Sequence, residues 1–303
     1  MTHGLVTTDQ SSGGRTARLL GIDVGGTTVK ARLVDGGGET VTEWRERTPS
    51  GDHDASQTVA LIATLVDRAR AAGGVDAVGL AIPGIVDEST GTAVHAVNLG
   101  WHDLPVRDLV SAAIGIPLAF GQDVRVGALA ESSTGAAAGV PGTIVFVPVG
   151  TGLAAATVVD GVPLVAGGWA GEIGQAVMAH GAHSGLRVEE IASAGAIARR
   201  LGVADARSAA DLVRGGDPAA SVVWNDAVEV LADSLVWLAA VVAPTVIVVG
   251  GGLAEAGSLL FDPLDAAVDA RIGAMRRPRL VPARHGEAAA VIGATYLART
   301  ALS

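Results

Sequence analysis

Cysteine is absent from all 303 residues. Disulfides, thiolate zinc sites and a cysteine nucleophile are therefore excluded. Aromatic residues are scarce, at 3%. No apolar run is long enough to cross a bilayer. The most apolar stretch, Val236 to Val249, is interrupted by Pro244, whereas a spanning helix needs about 20 residues. The first 18 residues, MTHGLVTTDQSSGGRTAR, lack the apolar core of a signal peptide and read as a disordered polar tail. Basic charge is in deficit as well. A net charge of −10 offers no electrostatic reason to seek nucleic acid or anionic lipid. The expectation is a cytoplasmic protein with neither nucleic acid nor membrane as partner.

What is present is apolar and small. Hydrophobic residues make up 49%, and Ala, Val, Gly and Leu carry most of that share. Such side chains suit layers of helix on sheet. Leu19 to Val24, Thr28 to Asp35 and Thr40 to Arg47 read as an antiparallel meander. Ala55 to Ala72 has helical periodicity, and Ala77 to Ile82 is a buried strand stopped by Pro83-Gly84. Leu104 to Ile114 reads as a helix, Ile116 to Phe120 as a strand and Val124 to Ala138 as a helix of small residues. Strands at Thr143 to Val149 and Ala154 to Val159 follow, then helices at Val188 to Leu201, Ala206 to Arg214 and Pro218 to Val242. A strand at Thr245 to Val249 and helices near Leu264 to Arg276 and Glu287 to Ala301 complete an α/β alternation.

One segment occurs twice. Val24-Gly25-Gly26-Thr27 opens a stretch closing at Asp35-Gly36, and Val149-Gly150-Thr151-Gly152 opens one closing at Asp160-Gly161. Both ends are offset by 125 positions. Each copy is strand, glycine turn, strand, Asp-Gly turn. Duplication predicts two similar lobes facing each other across a cleft. Glycine lets backbone approach a ligand closely, so two such hairpins suit a polyphosphate held by N–H donors. They equally suit plain hairpin turns. Neither is a P-loop nor a G-x-G-x-x-G turn, so those nucleotide folds are not indicated.

Ile22-Asp23-Val24-Gly25-Gly26-Thr27-Thr28-Val29-Lys30 resembles the first phosphate motif of the actin-like ATPase and sugar kinase superfamily. Ala81-Ile82-Pro83-Gly84-Ile85-Val86-Asp87, Asn98-Leu99-Gly100-Trp101, Gly171-Glu172-Ile173-Gly174, Glu189 with Ala192-Ser193, and Val248-Val249-Gly250-Gly251-Gly252 narrow the resemblance to the ROK family of bacterial sugar kinases and repressors. These segments run in family order from about residue 19 to 295. The repressor branch carries an additional N-terminal helix-turn-helix domain. Only some 18 polar residues precede the first strand here, so the kinase branch is expected.

The resemblance implies a two-lobed actin-like ATPase (ribonuclease H-like) fold with an interlobe cleft. Its lobes are expected at 19 to 122 and 123 to 287, with 288 to 303 packing back on the first. ATP and magnesium are the implied cofactors, and a homodimer the implied assembly. Asp123 corresponds to the general base for a sugar hydroxyl, although Asp entering a helix also suits a plain N-cap. Asp23 corresponds to the Mg²⁺ position, through water. Gly25, Gly26, Thr27, Thr28, Lys30, Gly150, Thr151 and Gly152 are placed on phosphates, and Gly250, Gly251 and Gly252 on adenosine. Lys30 equally reads as an exposed strand lysine. The sugar falls to Gly84, Asn98, Gln122, Asp123, Glu172, Gln175 and Glu189. Trp101 reads as a core or wall residue.

This chain also departs from the family pattern. Gln175 stands where the family has a zinc-binding and sugar-contacting His, so structural zinc is not expected. The second phosphate motif continues as Leu153-Ala154-Ala155-Ala156 rather than glycines. Gln122 replaces an Asn, and Arg125 and Val126 replace small or polar residues. Phosphorylation of glucose to its 6-phosphate is the first expectation, because Asn98 to Trp101 resembles the glucokinases. An N-acetylhexosamine kinase and a non-catalytic sugar-binding regulator are the alternatives. Polyphosphate is the alternative donor.

Overall fold

The computed structural model describes residues 16 to 302. Most of the expected tail, and Ser303, lie outside the described residues. Arg18, assigned to that tail, is held in place. Its N–H donates to the Asp76 carboxylate at 2.7 Å and its guanidinium to the Ala72 carbonyl at 3.1 Å.

β1 (Leu19–Val24) is buried at every position, as an apolar run covered on both faces must be. It pairs antiparallel with β2 (Thr28–Val34), and β2 with β3 (Thr40–Arg47), so the meander forms. α1 (Ser56–Ala71) begins where the buried Asp52 carboxylate accepts the Gln57 and Thr58 N–H groups at 3.0 and 2.8 Å. β4 (Ala77–Ile82) lies parallel to β1. A small sheet follows, made of β5 (Ile85–Asp87), β6 (Thr92–Ala96) and β7 (Trp101–Leu104). These strands are too short to show a period in the sequence. Then come α2 (Val106–Ile114) and β8 (Leu118–Gln122), which joins β4 in parallel. Trp101 is 1% exposed, and its indole N–H donates to the Asp52 carbonyl. It is a core residue.

α3 (Asp123–Ser133) leads to the second sheet. β9 (Thr143–Pro148), β10 (Ala156–Val159) and β11 (Val162–Pro163) form its antiparallel part. The expected continuous helix from Val188 to Leu201 is broken into α4 (Glu189–Ala192) and α5 (Ala194–Leu201). Ser193 between them is extended, and its Oγ accepts the Ala196 N–H at 3.0 Å. One residue thus ends one helix and caps the next. α6 (Ala206–Arg214) and α7 (Pro218–Val242) are both capped by aspartates, Asp205 and Asp217. β12 (Val246–Gly250), α8 (Ser258–Ile272) and the edge strand β13 (Arg279–Pro282) follow. α9 (Ala289–Thr300) is last.

The two large sheets share one topology. Their orders are β3-β2-β1-β4-β8 and β11-β10-β9-β12-β13. Each has an antiparallel hairpin on one side of its central strand and parallel strands on the other. The sequence repeat is therefore one sheet built twice.

α9 lies directly on β1 and β4 because both present glycine there. A Cβ on Gly21 would sit 2.7 Å from the Thr295 nitrogen, and one on Gly79 would sit 2.7 Å from the Ala298 nitrogen. Gly293 does the same from the helix side, resting on the Val126 carbonyl of α3. Backbone cannot yield as a flexible side-chain tip does. Gly79→Val is therefore expected to cost about 3 kcal/mol or more. Thermal unfolding of the variant checks this, and an unchanged midpoint would contradict the packing.

Candidate active site

Asp123 is the first residue of α3, at the carboxyl end of β8. The capping role open to it in the sequence is filled by its neighbour. The Gln122 side-chain oxygen accepts the Arg125 N–H at 2.9 Å. The Gln122 oxygen is thus committed to the helix. Asp123 accepts only the adjacent Val124 N–H, at 2.8 Å. Its carboxyl is pushed up to about 7. Burial is the main cause, and the neighbouring Asp23 charge adds to it. Arg125 and the Val124 N–H pull the other way. Asp23 itself is pushed up to about 6 by burial, against the pull of Lys30.

Two further carboxylates reach the same place from the second sheet's side. Glu172 is raised by burial, lowered by Arg125 and raised by Glu189. Glu172 in turn raises Asp123. Asp23, Asp123, Glu172 and Glu189 thus form a line of interacting acids.

The glycine turns meet that line at its two ends, Gly25 two residues after Asp23 and Gly152 beside Glu189. In the first hairpin the Gly25 N–H donates to the Thr28 carbonyl at 3.0 Å. Thr48 braces it, its hydroxyl on the Gly25 carbonyl and its N–H on the Thr27 carbonyl. Asn98 covers Gly26, whose added Cβ would lie 3.0 Å from the Asn98 Cβ. The first glycine hairpin and Asn98 are therefore adjacent. Gly84, at φ +93°, is pressed against the His95 carbonyl, so it shapes the small sheet. In the second hairpin the Gly150 N–H donates to the Gly152 carbonyl at 3.0 Å. Gly251 lies on the Val149 backbone, which joins the third glycine cluster to this hairpin. Glu189 is next to Gly152, whose added Cβ would be 3.2 Å from its Oε2. Added Cβ atoms on Gly150 and Gly252 would meet nothing within 4 Å. These stretches of bare backbone are open to a ligand.

Two expected residues are engaged elsewhere. The Lys30 ammonium donates to the Glu287 carbonyl at 2.8 Å, at the entry to α9. It is a brace between β2 and α9, within electrostatic reach of Asp23. The Gln175 side-chain oxygen accepts from Arg187 at 3.0 Å, and Arg187 also pairs with Glu189 at 3.4 Å and Glu190 at 3.3 Å. Arg187 was not singled out by the sequence, and neither was Glu88, which pairs with Arg125 at 2.8 Å. Both pairings join residues far from any motif spacing, so only the fold reveals them.

The donor set was tested for magnesium. Among the described residues no group of three or more His, Cys, Asp or Glu is placed to hold a metal ion. A hard cation here would take most of its ligands from water and phosphate, as magnesium does. Asp23 and Asp123, both raised by burial and Asp123 also by the Asp23 charge, fit such a cation, because its charge relieves both.

The ROK family profile matches residues 19 to 301. The glucokinase of Halalkalibacterium halodurans is 30% identical over 81% of this chain and 83% of its own. A bifunctional NanE/NanK enzyme of Brucella suis is 31% identical over 97% of this chain but 55% of its own length. The ROK hexokinase of Thermus thermophilus superposes with a TM-score of 0.82 and 28% identity, covering 94% of this chain and 99% of that one. The two sheets and their helices thus form the two-lobed actin-like ATPase fold.

The raised carboxyls have a consequence for stability. Between the ordinary value of 3.8 and about 7 the folded protein holds a proton on Asp123 that the unfolded chain releases. Stability therefore falls as pH rises through that window. Asp123→Asn removes the effect. The variant is expected to be more stable than wild type at pH 8, by about 4 kcal/mol, and equal to it near pH 4. Urea unfolding at both pH values measures it; equal stability at pH 8 would mean the carboxyl is not raised.

Proposed function

We propose that this chain, which belongs to the ROK family and is a sugar kinase, transfers the γ-phosphoryl group of ATP to a hexose, glucose first, with Asp123 as the base. The observation that carries the reading is the Asp123 carboxylate itself. Gln122 fills the N-cap position, Asp123 accepts the adjacent Val124 N–H, and two other acids, Asp23 and Glu172, act on it.

In the proposed reaction the 6-hydroxyl gives its proton to Asp123 as its oxygen bonds to the γ-phosphorus. The bond to the ADP oxygen breaks, giving ADP and the 6-phosphate. Such transfers rest on positioning and charge stabilisation rather than on strong bases. A carboxyl held near 7 matches that mild demand. The two hairpin turns, at Gly26-Thr27 and Thr151-Gly152, present backbone N–H groups to the phosphates, while the Gly25 and Gly150 N–H groups close the turns, and Gly250 to Gly252 leave room for the adenosine. Asp23 would hold magnesium, which would supply charge neutralisation on the phosphates. Asn98, Glu172 and Glu189 take the remaining hydroxyls, since sugars need directional acceptors. Closing of the lobes over the sugar excludes water. A cytoplasmic setting is consistent with the described residues, in which no helix is long and apolar enough to cross a membrane.

One observation favours a second substrate. With its oxygen on Arg187, the Gln175 amide offers only N–H donors, and Arg187 adds more. Donors suit the carbonyl of an acetamido group, so an N-acetylhexosamine is the alternative acceptor.

A coupled ADP-release assay with Mg-ATP tests both. The panel is glucose, mannose, N-acetylglucosamine, N-acetylmannosamine, fructose and allose, repeated with polyphosphate. Turnover is expected on glucose, and Asp123→Asn is expected to lower kcat by about 10²- to 10⁴-fold while sugar binding persists. Silence on every sugar with both donors, together with intact sugar binding, would instead mean a non-catalytic binding protein.

A further inference from the structure

The geometry points to Arg125 and Glu88 as positioning residues that hold Asp123 and the Glu172 segment as one unit. This rests on the proposed role of Asp123 as the base.

Arg125 is 2% exposed, which is rare for arginine, and every contact of its guanidinium is to a different strand or turn. Nε pairs with the Glu88 carboxylate at 2.8 Å. One terminal nitrogen donates to the Val86 carbonyl at 3.0 Å, at β5, and the other to the Gly168 carbonyl at 3.4 Å. Val86 and Gly168 come from opposite sides of the molecule and touch through backbone alone. Gly168, at φ +92°, sits against the Val86 carbonyl where a Cβ has no room. Two carbonyls and a carboxylate thus converge on one planar cation with five donors, which is the geometry a guanidinium fits and an ammonium does not.

Glu88 completes the frame. The oxygen that takes Arg125 Nε also accepts the Gln122 backbone N–H, at 3.1 Å. Glu88 therefore grips the chain one residue before Asp123 and two residues after it. Arg125 then ties that grip to Gly168, four residues before Glu172. Base and sugar-binding acid cannot shift independently while both contacts stand. Arg125 is also close enough to both carboxyls to pull each down. Small displacements of a catalytic group are costly, since productive attack needs near-contact geometry.

The expected pattern separates kcat from KM. Glu88→Gln keeps the shape and an acceptor oxygen but weakens the grip. It should fold and lose at least tenfold in kcat, with KM for ATP within twofold of wild type. Arg125→Lys keeps the charge but not the fork, and should lose at least as much. The double variant Glu88→Gln, Arg125→Gln buries no unpaired charge, so it should recover the melting temperature without recovering kcat. Each variant is assayed beside Asp123→Asn. If Asp123→Asn is inactive while the folded Glu88 and Arg125 variants stay within twofold of wild-type kcat, the positioning role is wrong and the base assignment stands. If Asp123→Asn is as active as wild type, the base assignment itself has failed. A double variant that recovers melting temperature and kcat together would make the pair merely structural, and would also overturn the inference.

Discussion

The position of one helix sets the distance between two buried aspartates, Asp23 and Asp123. α9 rests on β1 at Gly21, two residues before Asp23, and on α3 at Val126, three residues after Asp123. Both contacts are backbone to backbone, because glycine leaves nothing in between. A helix held this way has almost no freedom to slide, since close-packed main chains transmit strain rather than absorb it. Asp23 and Asp123 are brought near enough for Asp23 to raise Asp123, although they start from different strands of the sheet. The Lys30 contact with the Glu287 carbonyl, at the start of the same helix, fixes the near end of this arrangement.

Gathering acids in a buried place is unfavourable in itself. Burial penalises each charge, and each neighbour adds repulsion. The fold offsets this in part with Arg125, the one buried cation beside Asp123 and Glu172. A ligand-ready site that is poorly satisfied when empty is the usual cost of preorganisation. The cluster reads in those terms: its acids are penalised by burial and by one another, and Arg125 relieves only part of that cost. The same arrangement explains why Gln122 rather than Asp123 caps α3. Were Asp123 the cap, its oxygens would be taken by helix N–H groups and lowered in basicity.

Much of this was legible before any coordinates. The meander, the repeat at 125 positions, the glycine turns and the four acids all stand in the sequence. Other features were not. The sheet of β5 to β7 is built from strands of three to five residues, too short for a period to register. The helix expected from Val188 to Leu201 looked continuous because its apolar residues recur at helical spacing. Its break at Ser193 depends on a hydroxyl that caps only when the chain turns there. Gln175 and Lys30 were assigned to ligands by position, yet Arg187 and Glu287 hold them. Those partners lie 12 and 257 residues away.

By itself the sequence determined the periodic elements, the duplicated sheet and the chemical types at the site. These are local properties: burial period, turn residues and side-chain functional groups act within a few positions of the chain. Tertiary structure alone decided which of those groups interact. Glu88 meets Arg125 across 37 residues, and Gly168 meets Val86 across 82, only because the two sides of the molecule close on each other. No spacing rule encodes such a meeting. It follows from how close two backbones come, and that is set by the glycines between them.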